Sequence, residues 1–228
     1  MNRNSIYKNL DPNKKDAIDR HLSLLMEKNK LLNLTAIKDL EAGKVLHLED
    51  SLCALPEILD APEGLYMDLG SGGGFPGITL ALASGRETVL VESVKKKAAA
   101  LEEFCEELDL ADQVKVEAER IEELPESYSE KASVITARAL SSIPSLLELA
   151  SPLLKIGGRL ILFKSGSYID ELGRGNRIVS KIGFGAPETV DYSLSEESPR
   201  SLIQYIKKTK PQLKLPRRTG LAQKKPLA

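Results

Sequence analysis

The run Leu65-Tyr66-Met67-Asp68-Leu69-Gly70-Ser71-Gly72-Gly73-Gly74-Phe75-Pro76-Gly77 sets an acid, a cluster of glycines and a helix-starting proline behind a short apolar segment. Gly70, Gly72 and Gly74 allow a tight turn and a close approach of backbone to a bound molecule. Pro76 suits the first turn of a helix, whose free N–H groups can receive a carboxylate or phosphate. Phe75 lies at the mouth of that turn. A second apolar segment, Val89-Leu90-Val91, ends in Glu92, 22 residues after Gly70. An acid at about that offset accepts the two vicinal hydroxyls of a ribose. Together these residues predict a site for an adenosine-bearing cofactor. Asp68, two places before the first glycine, favours S-adenosylmethionine over a dinucleotide, because at a strand end it can approach the amino group of a methionine moiety. Gly72 to Gly77 also satisfies G-x-G-x-x-G, but a dinucleotide site places its first glycine straight after the strand. Here that glycine is Gly70, and Phe75 takes the sixth place.

Further residues fall where strands should end. Ile121 and Glu122 follow the third candidate strand, where an acid or backbone amide can bind adenine; a solvated run of charge is the other reading. Thr136-Ala137-Arg138-Ala139 ends the fourth and points Arg138 into the same crevice, as a substrate or cofactor contact or as half of a structural ion pair. Lys164, in Phe163-Lys164-Ser165-Gly166, can meet a phosphate or a base edge, or stand in solvent. His47 and Asp50, three apart on a helix, can pair locally, wall a pocket or contact RNA. No Asp/Asn-Pro-Pro-aromatic motif follows the fourth strand, and neither Cys53 nor Cys105 lies near it. Methylation of an exocyclic amine and of cytosine C5 are thereby disfavoured. The two cysteines have no metal-ligand or disulfide spacing, and no metal site is expected.

The elements that must position these groups are legible from pattern. Residues 1–60 carry apolar residues at helical spacing, as in Ile18, Leu22, Leu25 and Met26. From residue 61 to 208 short apolar strands at 65–69, 88–92, 114–117, 132–137 and 159–164 alternate with helices at 76–84, 95–108 and 143–154. That alternation predicts an α/β, doubly wound, mostly parallel sheet. Residues 190–194 and 202–207 read as two strands joined only by polar residues, hence a seven-stranded sheet with an antiparallel last strand. Such a sheet is Rossmann-like and typical of class I methyltransferases. Residues 209–228 read as a flexible basic tail. Residues 207–228 carry +8, and the net charge of -1 leaves -9 on the rest. An acidic body with a basic tail suits contact with a polyanion, or mere solubility. A hydrophobic content of 42% with 29% charged residues is that of a soluble globular protein, and no apolar run is long enough for a membrane span. A cytoplasmic monomer without membrane attachment is expected.

In combination, Asn33-Leu34-Thr35, His47-Leu48-Glu49-Asp50-Ser51, the glycine loop with its Phe75-Pro76-Gly77 ending, Thr136-Ala137-Arg138-Ala139, Lys164-Ser165-Gly166 and Leu215-Pro216-Arg217-Arg218-Thr219-Gly220 resemble the glucose-inhibited division protein B family. The resemblance covers most of the chain. It implies an S-adenosylmethionine-dependent enzyme that methylates N7 of a guanine in small-subunit (16S) ribosomal RNA. It further implies that Gly70, Phe75, Ile121, Glu122 and Arg138 contact the cofactor or its pocket. Glu92 stands where the family usually has Asp, one methylene longer. Guanine N7 has a lone pair and no proton, so alignment with the methyl group replaces a general base. Arg138 or Lys164 would then hold O6 or a flanking phosphate. A small-molecule or protein methyltransferase on the same fold is the alternative reading.

Overall fold

Strands that are apolar on both faces need a sheet covered on both sides. The computed structural model, which describes residues 3–194 and 199–228, has that arrangement. One sheet contains β1 (Leu65–Leu69), β2 (Thr88–Val91), β3 (Val114–Glu117), β4 (Ala132–Arg138), β5 (Leu154–Ser165), β6 (Glu188–Ser193) and β7 (Pro199–Ile206). Their spatial order is 3-2-1-4-5-7-6. The first five strands pair in parallel, and β7 runs antiparallel between β5 and β6. The α/β class and the antiparallel last strand therefore match the sequence. Residues 195–198 of the polar connection before β7 lie outside the described residues.

Register is what places the site. Asp68 pairs with Leu90 on one side and Thr136 on the other, and Leu69 with Val91 and Ala137. The carboxyl ends of β1, β2 and β4 are therefore level, and Gly70, Glu92 and Arg138 leave the sheet at one edge.

The helices are α1 (Pro12–Leu32), α2 (Leu40–Gly43), α3 (Asp50–Leu52), α4 (Leu55–Asp60), α5 (Gly77–Ser84), α6 (Lys95–Glu107), α7 (Ile143–Ala150), α8 (Ile169–Asn176) and α9 (Leu221–Lys224). Asp11 caps α1 by accepting from the Asn13 and Lys14 amides, and Asn33 ends it in the left-handed region at φ 50°. Strand alternation splits the core in two. Tyr66, Val134, Ile161 and Phe163 face the cluster shared with Ile18, Leu22, Leu48, Ile58 and Leu101. Met67, Ile135, Leu160 and Leu162 face the cluster of Ile143, Leu147, Ile182 and Tyr205. The N-terminal helices are thus built onto one face of the sheet, within its core.

Two segments differ from their sequence reading. The 169–176 helix is given no element in the sequence reading; Gly175 lets it approach α7, since a Cβ there would lie 2.9 Å from Ile143. The tail after residue 208 is drawn against the body instead of lying free. Leu213, Leu215 and Leu227 pack partly on the second cluster, and Arg217 makes a two-pronged ion pair with the buried Glu148 at 2.5 and 2.6 Å. Its prolines and lysines hide a spaced set of leucines.

Candidate active site

The loop after β1 is knit to its neighbours before any ligand is considered. The amides of Gly70 and Ser71 donate to the Val91 carbonyl at 2.8 and 3.1 Å, and Gly74 donates to Ser71 at 2.8 Å. The loop presses so closely on α1 that a Cβ on Gly74, at φ +89°, would lie 2.7 Å from His21 Nε2. A Cβ on Gly77 would lie 2.4 Å from Leu90 and 2.7 Å from Asp68 Oδ2.

Beneath the loop runs a buried chain of hydroxyls. Thr136 donates to Asp68 Oδ1 at 2.6 Å, so the Tyr66 hydroxyl, 2.7 Å from Thr136, must donate to it. Asp68 is 1% exposed, and its Oδ2 has no hydrogen-bond partner among the described residues. Burial pushes its carboxyl up to about 6, against the pull of the Thr136 bond. The carboxylate faces Thr136 and Gly77, behind the loop, and does not line the cavity above it. The strand-end position anticipated from sequence is correct; the side chain supports the loop from below.

That cavity measures about 680 Å³ and opens at the carboxyl edge of the sheet. Gly70, Gly72, Phe75, Glu92, Arg138 and Lys164 are all on its wall, and its volume is in the range of small-molecule sites. Glu92 accepts the Gly72 amide at Oε2 (3.0 Å) and the Val94 amide at Oε1 (2.8 Å). Each oxygen keeps a further lone pair for a ribose hydroxyl. Gly74 lies under the wall, and Ile121 and Glu122 lie beyond it. Glu122 Oε1 instead accepts the Gly220 amide at 2.7 Å, from the C-terminal segment. Ala139 leaves β4 at φ +54°, a conformation costly for a residue with a Cβ, and so carries Leu140 onto the wall.

Arg138 is the hub of the far side. Its Nη1 donates to Asp50 Oδ2 at 2.9 Å and the Leu46 carbonyl at 3.1 Å; its Nη2 donates to His47 Nδ1 at 3.2 Å and the Phe75 carbonyl at 3.3 Å. Asp50 also accepts from the Tyr192 hydroxyl at 2.7 Å. The ion-pair reading of Arg138 is realised, and the side chain also lies on the cavity wall. His47 and Asp50 reach it because residues 44–49 form a π-helical turn, a form often found at functional sites. Phe75 is stacked between His21 (4.3 Å) and His47 (5.1 Å). Burial holds both imidazoles neutral, His21 near 3 and His47 near 4, with the Arg138 charge adding to the fall for His47.

Lys164 is not solvated. Its Nζ donates to Glu171 Oε2 at 2.7 Å and to the Ser141 carbonyl at 3.3 Å. Sequence reasoning missed Glu171, His21, Thr136 and Tyr192. For Glu171 and Tyr192 no local motif exists; the fold brings them in from α8 and β6.

A mostly parallel sheet with one antiparallel strand, a glycine loop after β1 and an acid after β2 define a Rossmann-like methyltransferase that uses S-adenosylmethionine. Solved structures with this fold include an S-adenosylmethionine-dependent O-methyltransferase from Thermotoga maritima, at TM-score 0.58 and 16% identity over 83% of this chain and 73% of that one. An O-methyltransferase from Bacillus cereus superposes at TM-score 0.57 with 19% identity, over 82% of this chain and 91% of that one. Residues 14–194 match the model of the GidB family, rRNA small subunit methyltransferase G. The chain is 32% identical to ribosomal RNA small subunit methyltransferase G of Pseudothermotoga lettingae, over 96% of this chain and 94% of the relative. It is 36% identical to that of Geobacillus kaustophilus, over 92% and 89%. The chain belongs to the rRNA small subunit methyltransferase G family.

Proposed function

We propose that this protein methylates N7 of a guanine in 16S ribosomal RNA, acting in the cytoplasm as a monomer on the RNA or on the small ribosomal subunit. The observation that carries the reading is one continuous cavity, walled at one end by Gly70, Gly72 and Glu92 and at the other by Arg138, Lys164 and Arg200. The first end suits an adenosine-bearing cofactor and the second an anionic, base-bearing substrate.

The residues fit the cofactor. Glu92 has lone pairs for the ribose, and the loop glycines, held from below by Asp68, open the backbone. The resemblance adds Ile121 and Glu122 as contacts of the cofactor or its pocket. When bound, S-adenosylmethionine supplies an electrophilic methyl group. Phe75, held between two neutral imidazoles, shields the site from water. Arg138, fixed by four acceptors, sets the wall without approaching N7. The N7 lone pair would take the methyl group in place of the sulfonium sulfur, and the positive charge would pass to the purine. No proton moves, so positioning is the whole task. The base must be unstacked to enter, which suits a single-stranded or loop target.

Mass mapping of methylated nucleosides in small-subunit RNA, with and without the protein, tests this. Appearance of 7-methylguanosine at one site is expected; transfer to another atom, or to no ribosomal RNA, refutes it.

A further inference from the structure

Arg138 has spent its four Nη donors on Asp50, Leu46, His47 and Phe75, and its one remaining donor, Nε–H, with no acceptor beside it among the described residues, cannot read a base edge. The base must therefore be read by other residues on the same wall. Lys164 uses two of its three N–H donors, on Glu171 and Ser141. Glu171 accepts Lys164 and the Ile143 amide (3.0 Å) at Oε2, while its Oε1 takes no hydrogen bond among the described residues. Both side chains line the cavity, with Tyr168 beside them. Their ion pair holds the carboxylate below its ordinary range, against partial burial, so it is an acceptor at neutral pH.

We infer that Lys164 and Glu171 together read the Watson–Crick edge of the target guanine, Lys164 donating to O6 and Glu171 accepting from N1–H and N2–H. This rests on the reading that the substrate is a guanine in ribosomal RNA. Among the four RNA bases only guanine offers one acceptor followed by two donors on that edge. Adenine and cytosine offer a donor first, and uracil offers a single donor between two acceptors. A cation beside a carboxylate complements guanine alone. Reading this edge leaves N7, on the opposite edge, free for the methyl group; an arginine fork on O6 and N7 would block it. The aromatic ring of Tyr168 gives the flipped base a surface to stack on.

The test uses small subunits from cells lacking the protein as methyl acceptors, with GMP, IMP and AMP as competitors. IMP lacks only the 2-amino group of GMP. Wild-type enzyme should be inhibited by GMP about tenfold better than by IMP, and least by AMP. Glu171→Gln and Glu171→Ala should erase the GMP-over-IMP preference and lower kcat/KM for subunits about tenfold, with S-adenosylhomocysteine affinity unchanged. Lys164→Met should weaken GMP and IMP equally, since both keep O6. Equal inhibition of the wild type by the three nucleotides, no inhibition by GMP at millimolar concentration, or a GMP preference surviving in Glu171→Ala overturns the inference. If the variants lose S-adenosylhomocysteine binding, the wild-type ratios decide. Subunits left unmethylated by the wild type refute the substrate itself; subunits methylated with no GMP preference refute the Lys164–Glu171 reading and leave the substrate standing.

Discussion

Arg138 Nη2 lies 3.2 Å from His47 Nδ1, and this contact fixes the state of the histidine. A guanidinium can only donate, so Nδ1 is the acceptor and the proton sits on Nε2. From there it is directed at Thr35 Oγ1, 2.7 Å away. One neutral imidazole thus ties the N-terminal helices to the end of β4 and stacks on Phe75 of the cofactor loop.

Acid stability should show this. His47 and His21 titrate near 4 and 3 in the folded protein against 6.5 when unfolded. Between those values the unfolded chain holds protons that the folded one lacks, so stability is lost as pH falls below about 6.5. Asp68 works the other way: between 3.8 and about 6 the folded state holds the extra proton. Urea titrations from pH 4 to 7.5 should give a net rise in stability with pH. Each histidine contributes about 1.4 kcal/mol per pH unit within its window. His47→Asn should flatten the rise and Asp68→Asn should steepen it.

Arg138→Ala leaves Asp50 buried without its main cation, and a loss of about 3–5 kcal/mol of stability is expected. Asp50→Asn added to Arg138→Ala should recover part of it, giving a measurable coupling in a double-mutant cycle. Arg138→Lys keeps the charge but not the fork, and should fall between the two.

Removing the Arg217 fork strands Glu148, which is 1% exposed. Arg217→Ala, or deletion of residues 209–228, should destabilise the protein by about 3 kcal/mol. Glu148→Leu in the deletion background should restore much of that. Replacing the exposed Lys214, Arg218, Lys224 and Lys225 with glutamine should leave stability and S-adenosylhomocysteine affinity alone. It should also reduce the salt dependence of RNA binding.

Two loop glycines should respond unequally to alanine. At Gly72, φ +56°, the nearest heavy atom to an added Cβ is 3.9 Å away, so only the backbone strain of about 1 kcal/mol is expected in thermal unfolding. At Gly77 the Cβ would lie 2.4 Å from Leu90, so the helix must shift off the sheet. Calorimetry should find S-adenosylhomocysteine binding abolished by Gly77→Ala.

Local chemistry was sufficient for much of this molecule. Glycine spacing, the Pro76 helix start and the acid after the second strand mark the end of the cavity at which the cofactor is proposed to bind. These are short-range features whose backbone demands are written in residue type. Alternating apolar segments determined the sheet and its parallel sense, because period sets which faces are buried. Register and long-range pairing were decided only in three dimensions. They turned Asp68 beneath its loop, joined Arg138 to Asp50 and His47 from 88 and 91 residues away, folded the basic tail onto Glu148, and set Glu171 beside Lys164. Each depends on where the assembled core places a buried polar or charged group among its long-range neighbours. The energy of that pairing comes from desolvation within the assembled core, which no local run of residues contains.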